Sequence, residues 1–195
     1  MKKAQLLLIF FISTVVYSQG FTGANWFIYP HNTVPVFTIT KTEVLKFQNL
    51  TFNIKWDSKL SYSENLGHNY GGIGELKIYY KNRLLQTINN IEDETALGTI
   101  YLYLYDFNMD GFLDFSIRSE CGKSCYYQYY LYNSFKNQFQ HQEEWDSIRI
   151  SQLNKKTKQL LTEPEGTATE GQSYLYKIER HKLTLLKVIP YGLNN

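Results

Sequence analysis

Oxygen-bearing side chains recur at alternate positions in one short stretch near the middle of the chain. This stretch reads D-F-N-M-D-G-F-L-D and runs from Asp106 to Asp114. A hard cation such as Ca²⁺ takes about six to eight oxygen ligands, and this spacing supplies several of them from one tight turn. Gly111 permits the sharp reversal of the chain. The predicted calcium ligands are the side chains of Asp106, Asn108 and Asp110, the backbone carbonyl of Phe112, and Asp114 directly or through a water.

The same stretch also suits a plain turn, in which Asp and Asn side chains bond their own backbone. Carboxylates packed so closely would repel one another without a cation, and this favours the metal site. An EF-hand carries a bidentate Glu at its twelfth position, where this chain has Ile117. We therefore predict a calcium loop between two strands, and not a helix-loop-helix sensor. Its calcium is expected to be structural, since weak affinity is sufficient where the ion is abundant.

The only two cysteines, Cys121 and Cys125, bracket the short segment C-G-K-S-C. In an exported protein such a pair is normally oxidised, so we predict a disulfide. Closing so small a ring lowers the entropy of the unfolded chain only a little and stabilises the folded state by about 2 kcal/mol. Its main effect is expected to be a stiffer exposed loop. That loop is either a recognition element or a hairpin staple without a partner. Zinc is disfavoured, because two thiols without a nearby His supply too few ligands.

Strand patterns flank both features. Residues 100–105 alternate aliphatic with aromatic side chains, residues 113–118 alternate apolar with polar ones, and residues 126–132 are rich in Tyr. Further strands are predicted at 36–40, 50–56, 76–80, 84–88, 138–140, 159–162, 173–178 and 182–188. The segment 57–72 is predicted to be a loop and 89–96 an acidic linker, and no amphipathic helix is predicted. The fold class is therefore all-β, a single domain built as an antiparallel meander and arranged as a sandwich, a barrel or a propeller-like fold.

The N-terminal residues have the pattern of an export signal. Lys2 and Lys3 precede an apolar run, and small or apolar residues follow it up to Ser18. We predict a signal peptide over 1–18 and an exported domain over 19–195, periplasmic or secreted. The apolar run is too short for a membrane span, and no Cys follows it to carry a lipid. The formal net charge of +2 would fall to zero without the two lysines, which argues against nucleic acid or an anionic membrane as partner.

No residue pattern assembles a catalytic set. The four histidines, His31, His68, His141 and His181, lie in separate segments, and no G-x-S-x-G, H-E-x-x-H or P-loop motif accompanies them. Carboxylate pairs at 143–144 and at 163 and 165 lie in polar segments and are interpreted as solvated charge. We therefore expect a protein that is not an enzyme.

Residues 76–188 resemble a family of exported bacterial proteins. The shared features are the Ile78-Tyr79 strand leading to L-Q-T-I at 85–88, the oxygen-rich loop, Y-Y-L-Y-N at 129–133, Phe139, and the hairpin from Tyr174 to Val188. This combination is similar to periplasmic immunity proteins of the bacteria-killing type IV secretion system, which are related in shape to periplasmic inhibitors of invertebrate-type lysozyme. The resemblance implies a propeller-like, calcium-binding all-β domain that blocks a peptidoglycan-cleaving glycosidase with an inserted loop.

The resemblance also indicates where such a loop would lie. The lysozyme inhibitors carry the motif Ser-Gly-x-Arg-x-Tyr, and Gly122 and Tyr126 match it, whereas Cys121 and Ser124 depart from it. The expected partner-binding residues are Gly122, Lys123, Ser124 and Tyr126, and the expected partner is a lysozyme-like peptidoglycan hydrolase. The alternative is a calcium-stabilised surface or adhesion module that binds glycan or protein without inhibiting an enzyme.

Overall fold

The computed structural model describes residues 21, 23, 25–29, 34–122, 124–167 and 169–192. The predicted signal segment lies outside these ranges. Within them the chain forms short and long strands joined by tight turns, and one 3-10 turn at Glu143–Trp145. In chain order the strands are β1 (Trp26–Ile28), β2 (Val36–Ile39), β3 (Glu43–Phe47), β4 (Leu50–Asp57), β5 (Tyr62–Ser63), β6 (His68–Asn69), β7 (Gly72–Tyr80), β8 (Arg83–Glu92), β9 (Ile100–Tyr105), β10 (Asp114–Cys121), β11 (Cys125–Asn133), β12 (Gln138–His141), β13 (Ile150–Asn154), β14 (Gln159–Thr162), β15 (Glu165–Gly166), β16 (Glu170–Glu179) and β17 (Lys182–Gly192).

Three antiparallel sheets follow one another along the sequence from β3 onward, whereas β1 joins the third sheet and β2 the central one. The first sheet has the order β3-β4-β7-β8, and the central sheet has the order β12-β11-β10-β9-β2. The third sheet has the order β1-β13-β14-β16, and β15 and β17 both pair with β16. Strands β5 and β6 form a separate small hairpin. The predicted all-β class is confirmed, and the described residues form neither a closed barrel nor a closed propeller.

The middle of the central sheet is covered on both faces, as strand β9 shows. Side chains alternate between the two faces of a strand, so Ile100, Leu102 and Leu104 share one face while the intervening tyrosines share the other. The aliphatic face packs against the first sheet. The tyrosine face packs against the third sheet. In a two-sheet sandwich each strand has one face in water, whereas both faces of β9 pack against another sheet.

Two clusters of buried side chains define the interfaces between the sheets. We call the first the aliphatic interface, formed by Ile39, Leu50, Phe52, Ile54, Ile73, Leu76, Ile78, Ile91, Ile100, Leu102, Leu104, Phe115, Ile117, Tyr130 and Phe139. We call the second the aromatic interface, formed by Tyr29, Val34, Tyr103, Phe107, Met109, Tyr129, Leu131, Trp145, Ile148, Ile150, Leu153, Leu160 and Ile178.

A side chain also ties the first sheet to the edge of the central sheet. The amide of Gln86 in β8 donates to the Phe139 carbonyl at 3.0 Å and accepts the Phe139 N–H at 2.8 Å. These two bonds satisfy backbone groups of β12 that the sheet itself leaves unpaired.

The predicted linker at 89–96 is a strand end followed by an ordered turn, so that expectation was wrong. β8 continues to Glu92, and the next residue, Asp93, is buried with its carboxylate turned back on the chain. The Asp93 oxygens accept backbone N–H groups from Thr95, Leu97, Gly98 and Thr99 at 2.6 to 3.2 Å. This one side chain therefore fixes the crossing from the first sheet to β9.

Three other segments differ from the sequence expectations. Strand β3 was not predicted, and the predicted loop at 57–72 contains the β5–β6 hairpin. The stretch 143–153, which matches neither the helical nor the strand period, divides into the 3-10 turn and the start of β13. Its apolar residues Trp145, Ile148, Ile150 and Leu153 all lie in the aromatic interface, so tertiary packing and not periodicity determines its course.

Candidate functional site

Strand β10 joins the two features that the sequence singles out. The oxygen-rich loop connects β9 to β10, and the cysteine turn connects β10 to β11. Asp114 is the first residue of β10 and Cys121 is its last. At a rise of about 3.3 Å per residue, the two ends of this strand lie roughly 23 Å apart. An ion in the loop could therefore act on the cysteine turn only through the sheet.

The oxygen-rich loop is a turn held by its own side chains. One carboxylate oxygen of Asp106 accepts the Asp110 N–H at 2.9 Å, and the other accepts the Gly111 N–H at 3.0 Å. The Asn108 side-chain oxygen also accepts the Asp110 N–H, and the Asp110 carboxylate accepts the Phe112 N–H. Both Met109 and Gly111 have positive φ, at 59° and 93°, which the tight reversal requires.

Of the four predicted side-chain ligands, three converge and the fourth, Asp114, lies apart. Asp106 and Asn108 share the Asp110 N–H, and the Asn108 amide donates to Asp110 at 3.0 Å. Asp114, in contrast, is fully buried, and its two oxygens accept the N–H groups of Phe107 at 3.0 Å and Tyr132 at 2.8 Å. Its side chain thus ties the loop to β11 and is already occupied by backbone donors.

The electrostatics of the loop reflect crowded carboxylates. Burial raises the pKa of Asp106, and the neighbouring Asp110 charge raises it further. The hydrogen bond from the Gly111 N–H acts in the opposite direction and lowers it. Burial also raises the pKa of Asp114 well above its ordinary value, although the Tyr132 N–H opposes the shift. Because a nearby cation would favour the ionised carboxylates, the donor chemistry at Asp106, Asn108 and Asp110 fits a hard cation.

The structure supplies fewer converging ligands than the sequence predicts. Over the described ranges, no three side chains drawn from His, Cys, Asp and Glu come together in a metal-binding arrangement. Carboxylates of Asp106 and Asp110 with the Asn108 amide oxygen are the available side-chain donors, and Phe112 would add its carbonyl. Calcium binding at this loop therefore stays a prediction. Asp114, which is fully buried, is the least accessible of the predicted ligands.

The cysteine turn is an exposed end of the central sheet, and the predicted disulfide is present. Cys121 and Cys125 are joined with a Cα separation of 4.1 Å, and the Gly122 N–H donates to the Ser124 carbonyl at 3.0 Å. Cys121 and Gly122 are exposed, whereas Ser124 and Tyr126 are half-buried. Lys123, the fourth predicted contact residue, lies outside the described residues.

Two arginines near this turn were missed by the sequence reasoning. Arg149, just before β13, is buried with its guanidinium carbon 5.6 Å from the Tyr126 ring centroid. It donates to Glu163 and to the Pro164 carbonyl, both at 3.0 Å. Glu163 is therefore an ion-pair partner, and the interpretation of its segment as solvated charge was wrong. The second arginine, Arg118, lies on β10 itself.

The described histidines remain apart. His68 lies in the small β5–β6 hairpin, His141 ends β12, and His181 lies in the turn between β16 and β17. His141 pairs with Asp146 at 2.8 Å and stacks on Tyr130, whereas the His181 carbonyl accepts the Trp145 indole N–H at 2.8 Å. His31 lies outside the described residues.

Comparison with known proteins gives no relative on which to base a function. No protein-family model, no curated protein and no solved structure matches this chain. Among the residues with described structure, no helix has the length and apolar character needed to cross a bilayer.

Proposed function

We propose that this chain is an exported binding protein, and not an enzyme, that inhibits a peptidoglycan-cleaving glycosidase by inserting the disulfide-closed turn between β10 and β11 into its cleft. The observation that supports this most is the contrast along one hairpin. Phe115 and Leu131 are fully buried in the central sheet, while Cys121 and Gly122 are exposed at its end. Because a disulfide closes this turn and the strands that carry it are buried, the turn has less conformational freedom to lose on contact, which reduces the entropy cost of binding.

The chemistry of the turn suits the cleft of a glycosidase. Such an enzyme has two carboxyl groups flanking the scissile bond. Lys123 contributes a positive charge, and Ser124 and Tyr126 contribute hydroxyl groups that could bond to those carboxylates. Gly122 leaves the turn without a side chain at its exposed point, so the backbone could approach the cleft closely.

Two features support export. A signal-peptide pattern precedes the domain, and the disulfide is of a kind that persists in oxidising compartments such as the periplasm. We therefore infer that the protein is exported, to the periplasm or beyond the cell.

The proposed calcium ion would be held by Asp106, Asn108, Asp110 and the Phe112 carbonyl, with Asp114 behind them. When bound, it would neutralise the crowded carboxylates and so stabilise the turn between β9 and β10. At about 100 times its Kd, a single ion stabilises the native state by about 2.7 kcal/mol. For a domain of this size that free energy corresponds to a rise in Tm of roughly 5 to 10 °C.

Inhibition is tested by adding the purified protein to peptidoglycan digests by a panel of lysozymes of different types and of bacterial muramidase effectors. We expect dose-dependent inhibition of at least one enzyme, and loss of that inhibition with Lys123→Ala. Lys136→Ala, at an exposed lysine in the β11–β12 turn, is the matched control and should inhibit normally. Absence of inhibition across the panel would overturn the proposal.

Calcium binding is tested with Asp110→Asn, which keeps an oxygen to accept the Phe112 N–H and removes the charge. We expect calcium to raise the Tm of the unsubstituted protein and to raise that of the variant much less, with similar Tm values in chelator. Glu64→Gln, at an exposed acid outside the loop, should respond as the unsubstituted protein does. Equal Tm values of the unsubstituted protein in calcium and in chelator would exclude the ion.

A second candidate function has one observation in its favour. An open cavity of about 370 Å³ is lined by Asn25, Phe27, Tyr105, Lys155 and Lys156. Aromatic rings beside amide and ammonium groups suit a sugar, which agrees with a surface module that binds glycan. Retention on a glycan array, together with no inhibition in the panel, would favour this function.

A further inference from the structure

Arg118 lies among tyrosine side chains on the face of the central sheet that meets the third sheet. It pairs with Tyr127 across β10 and β11. Its guanidinium carbon is 4.3 Å from the Tyr101 ring centroid and 5.6 Å from that of Tyr103, and it donates a hydrogen bond to the Tyr103 hydroxyl. The positive charge is therefore held by two ring faces and a phenol oxygen.

Arg149, the other arginine singled out above, has an anionic partner, whereas Arg118 has none among the described residues. Arg149 has the carboxylate of Glu163 at 3.0 Å and a backbone carbonyl at the same distance. Among the residues whose structure is described, no Asp or Glu forms an ion pair with Arg118. The Arg118 Nε is buried and has no hydrogen-bond acceptor. A guanidinium that is partly removed from water normally has an anionic partner, because desolvating an unpaired charge is costly.

The surroundings of Arg118 provide both access and further donors. Arg118, Tyr101 and Tyr127 are half-buried, so the group is shielded without being sealed, whereas Tyr103 is buried. Burial raises the pKa of Tyr103 and Tyr127, and the Arg118 charge only partly opposes that rise. Both phenols therefore keep their protons at neutral pH and can donate hydrogen bonds to an anion.

We propose that Arg118, with Tyr101, Tyr103 and Tyr127, forms a recognition site for a ligand carboxylate. A single guanidinium matches the single charge of a carboxylate, and the two planar groups can form paired hydrogen bonds. The tyrosine rings would contact the less polar body of the ligand. The site does not depend on the proposed inhibition, since it lies on β10 and not in the cysteine turn.

Two sources of a carboxylate are distinguished by paired probes. The first pair is N-acetylmuramic acid, a sugar with a carboxylate, and N-acetylglucosamine, a similar sugar without one. The second pair is N-acetyl-alanyl-alanine and its C-terminal amide. Each probe is titrated into the purified protein while the backbone amide and Arg118 side-chain N–H signals are followed by NMR.

We expect at least one acid to shift the signals of Arg118 and Tyr127, and its neutral twin to leave them unchanged. Which acid binds then identifies the ligand as a sugar acid or a peptide terminus. Arg118→Gln should weaken that binding by about tenfold or more, since it removes the charge-assisted hydrogen bonds. Tyr103→Phe should weaken it less, because the ring remains and one hydroxyl is lost. Arg83→Gln, at an exposed arginine of β8, should have no effect.

Three results would overturn the site: no shift with either acid, equal binding of an acid and its neutral twin, or unchanged binding in Arg118→Gln. If Arg118→Gln fails to fold, the comparison of acid with neutral twin on the unsubstituted protein still decides the question.

Discussion

The two faces of the central sheet pack against their partner sheets with different chemistry. The aliphatic interface is made mostly of Ile and Leu, whose packing requires only complementary shape. The aromatic interface contains tyrosines and a tryptophan, and the Tyr129 hydroxyl and the Trp145 indole N–H bond to the carbonyls of Ile148 and His181. Buried polar groups must find partners, so this interface depends on orientation as well as volume.

Chemically distinctive groups lie beside the aromatic interface. Phe107 and Met109 of the oxygen-rich loop belong to it, and Arg118 contacts its tyrosines. The fold thus uses one face of the central sheet mainly for stability, while the other also holds charged groups in place. Substitutions on the two faces should therefore differ in size and in what they alter.

The largest effect is expected at the centre of the aliphatic interface. Phe115 is fully buried, with ring centroids of Tyr130 and Phe139 at 4.6 and 5.1 Å. Phe115→Ala should lower the free energy of unfolding by about 3 to 5 kcal/mol, through lost apolar burial and the cavity left behind. Denaturant unfolding measures this change. Phe135→Ala, at a ring that is 95% exposed, is the control, and similar losses in the two variants would contradict the assignment of the core.

A smaller effect is expected at the disulfide, whose cysteines belong to neither interface. Replacing Cys121 and Cys125 together by Ser should lower the free energy of unfolding by about 2 kcal/mol, because the unfolded chain gains conformational freedom. The tyrosine and tryptophan bands of the native near-UV circular dichroism should be unchanged, since neither cysteine belongs to either buried cluster. Changed aromatic bands would mean that the turn supports the interfaces.

Two adjacent tyrosines give a direct comparison of the faces. Tyr129 belongs to the aromatic interface and donates to the Ile148 carbonyl at 3.0 Å, whereas Tyr130 belongs to the aliphatic interface and reaches Gln128 only at 3.5 Å. Tyr129→Phe should therefore cost about 1 kcal/mol of stability. Tyr130→Phe should cost less than about 0.5 kcal/mol. Equal costs in chemical denaturation would remove the proposed difference between the interfaces.

Alternation of side chains made much of the fold predictable. The strands around 100–105 and 113–118 were predicted near their observed positions because their residue types alternate with a period of two, and the strand around 126–132 because it is rich in tyrosine. The same pattern could not reveal three sheets. When both faces of a strand are buried, apolar residues occupy both faces, and nothing local indicates which sheet covers which face.

The site was predicted only where its residues are close in sequence. The turn from Asp106 to Asp110 and the disulfide depend on local spacing, and both are present in the structure. The buried carboxylate of Asp114 accepts the N–H of Tyr132 on another strand. Arg149 likewise pairs with Glu163, which lies in a separate loop. Such contacts arise from the packing of distant segments, which sequence spacing does not encode.

The smallest effect is expected at the charged rim of the central sheet, where the two faces again differ. Arg118 shares a face with Tyr127, whereas Glu94 accepts a hydrogen bond from Gln128, the next residue of β11, whose side chain lies on the opposite face. Burial raises the pKa of Glu94, and the charges of Glu120 and Asp146 raise it further. The native state thus binds a proton here more readily than the unfolded chain does, so this group's contribution to stability falls as pH rises through its folded pKa.

Glu94→Gln should therefore raise the Tm at pH 7 by about 1 to 2 °C, the size expected of an exposed site where solvent screens the repulsion. At a pH low enough to protonate Glu94, the two proteins should melt together, because the parent has lost the same charge. High salt at pH 7 should also reduce the difference. Glu179→Gln, at an exposed acid ending β16, is the control. A lower Tm of Glu94→Gln at pH 7 would contradict this expectation. It would mean that the hydrogen bond from Gln128 to the Glu94 carboxylate stabilises the protein more than the repulsion between neighbouring acids destabilises it.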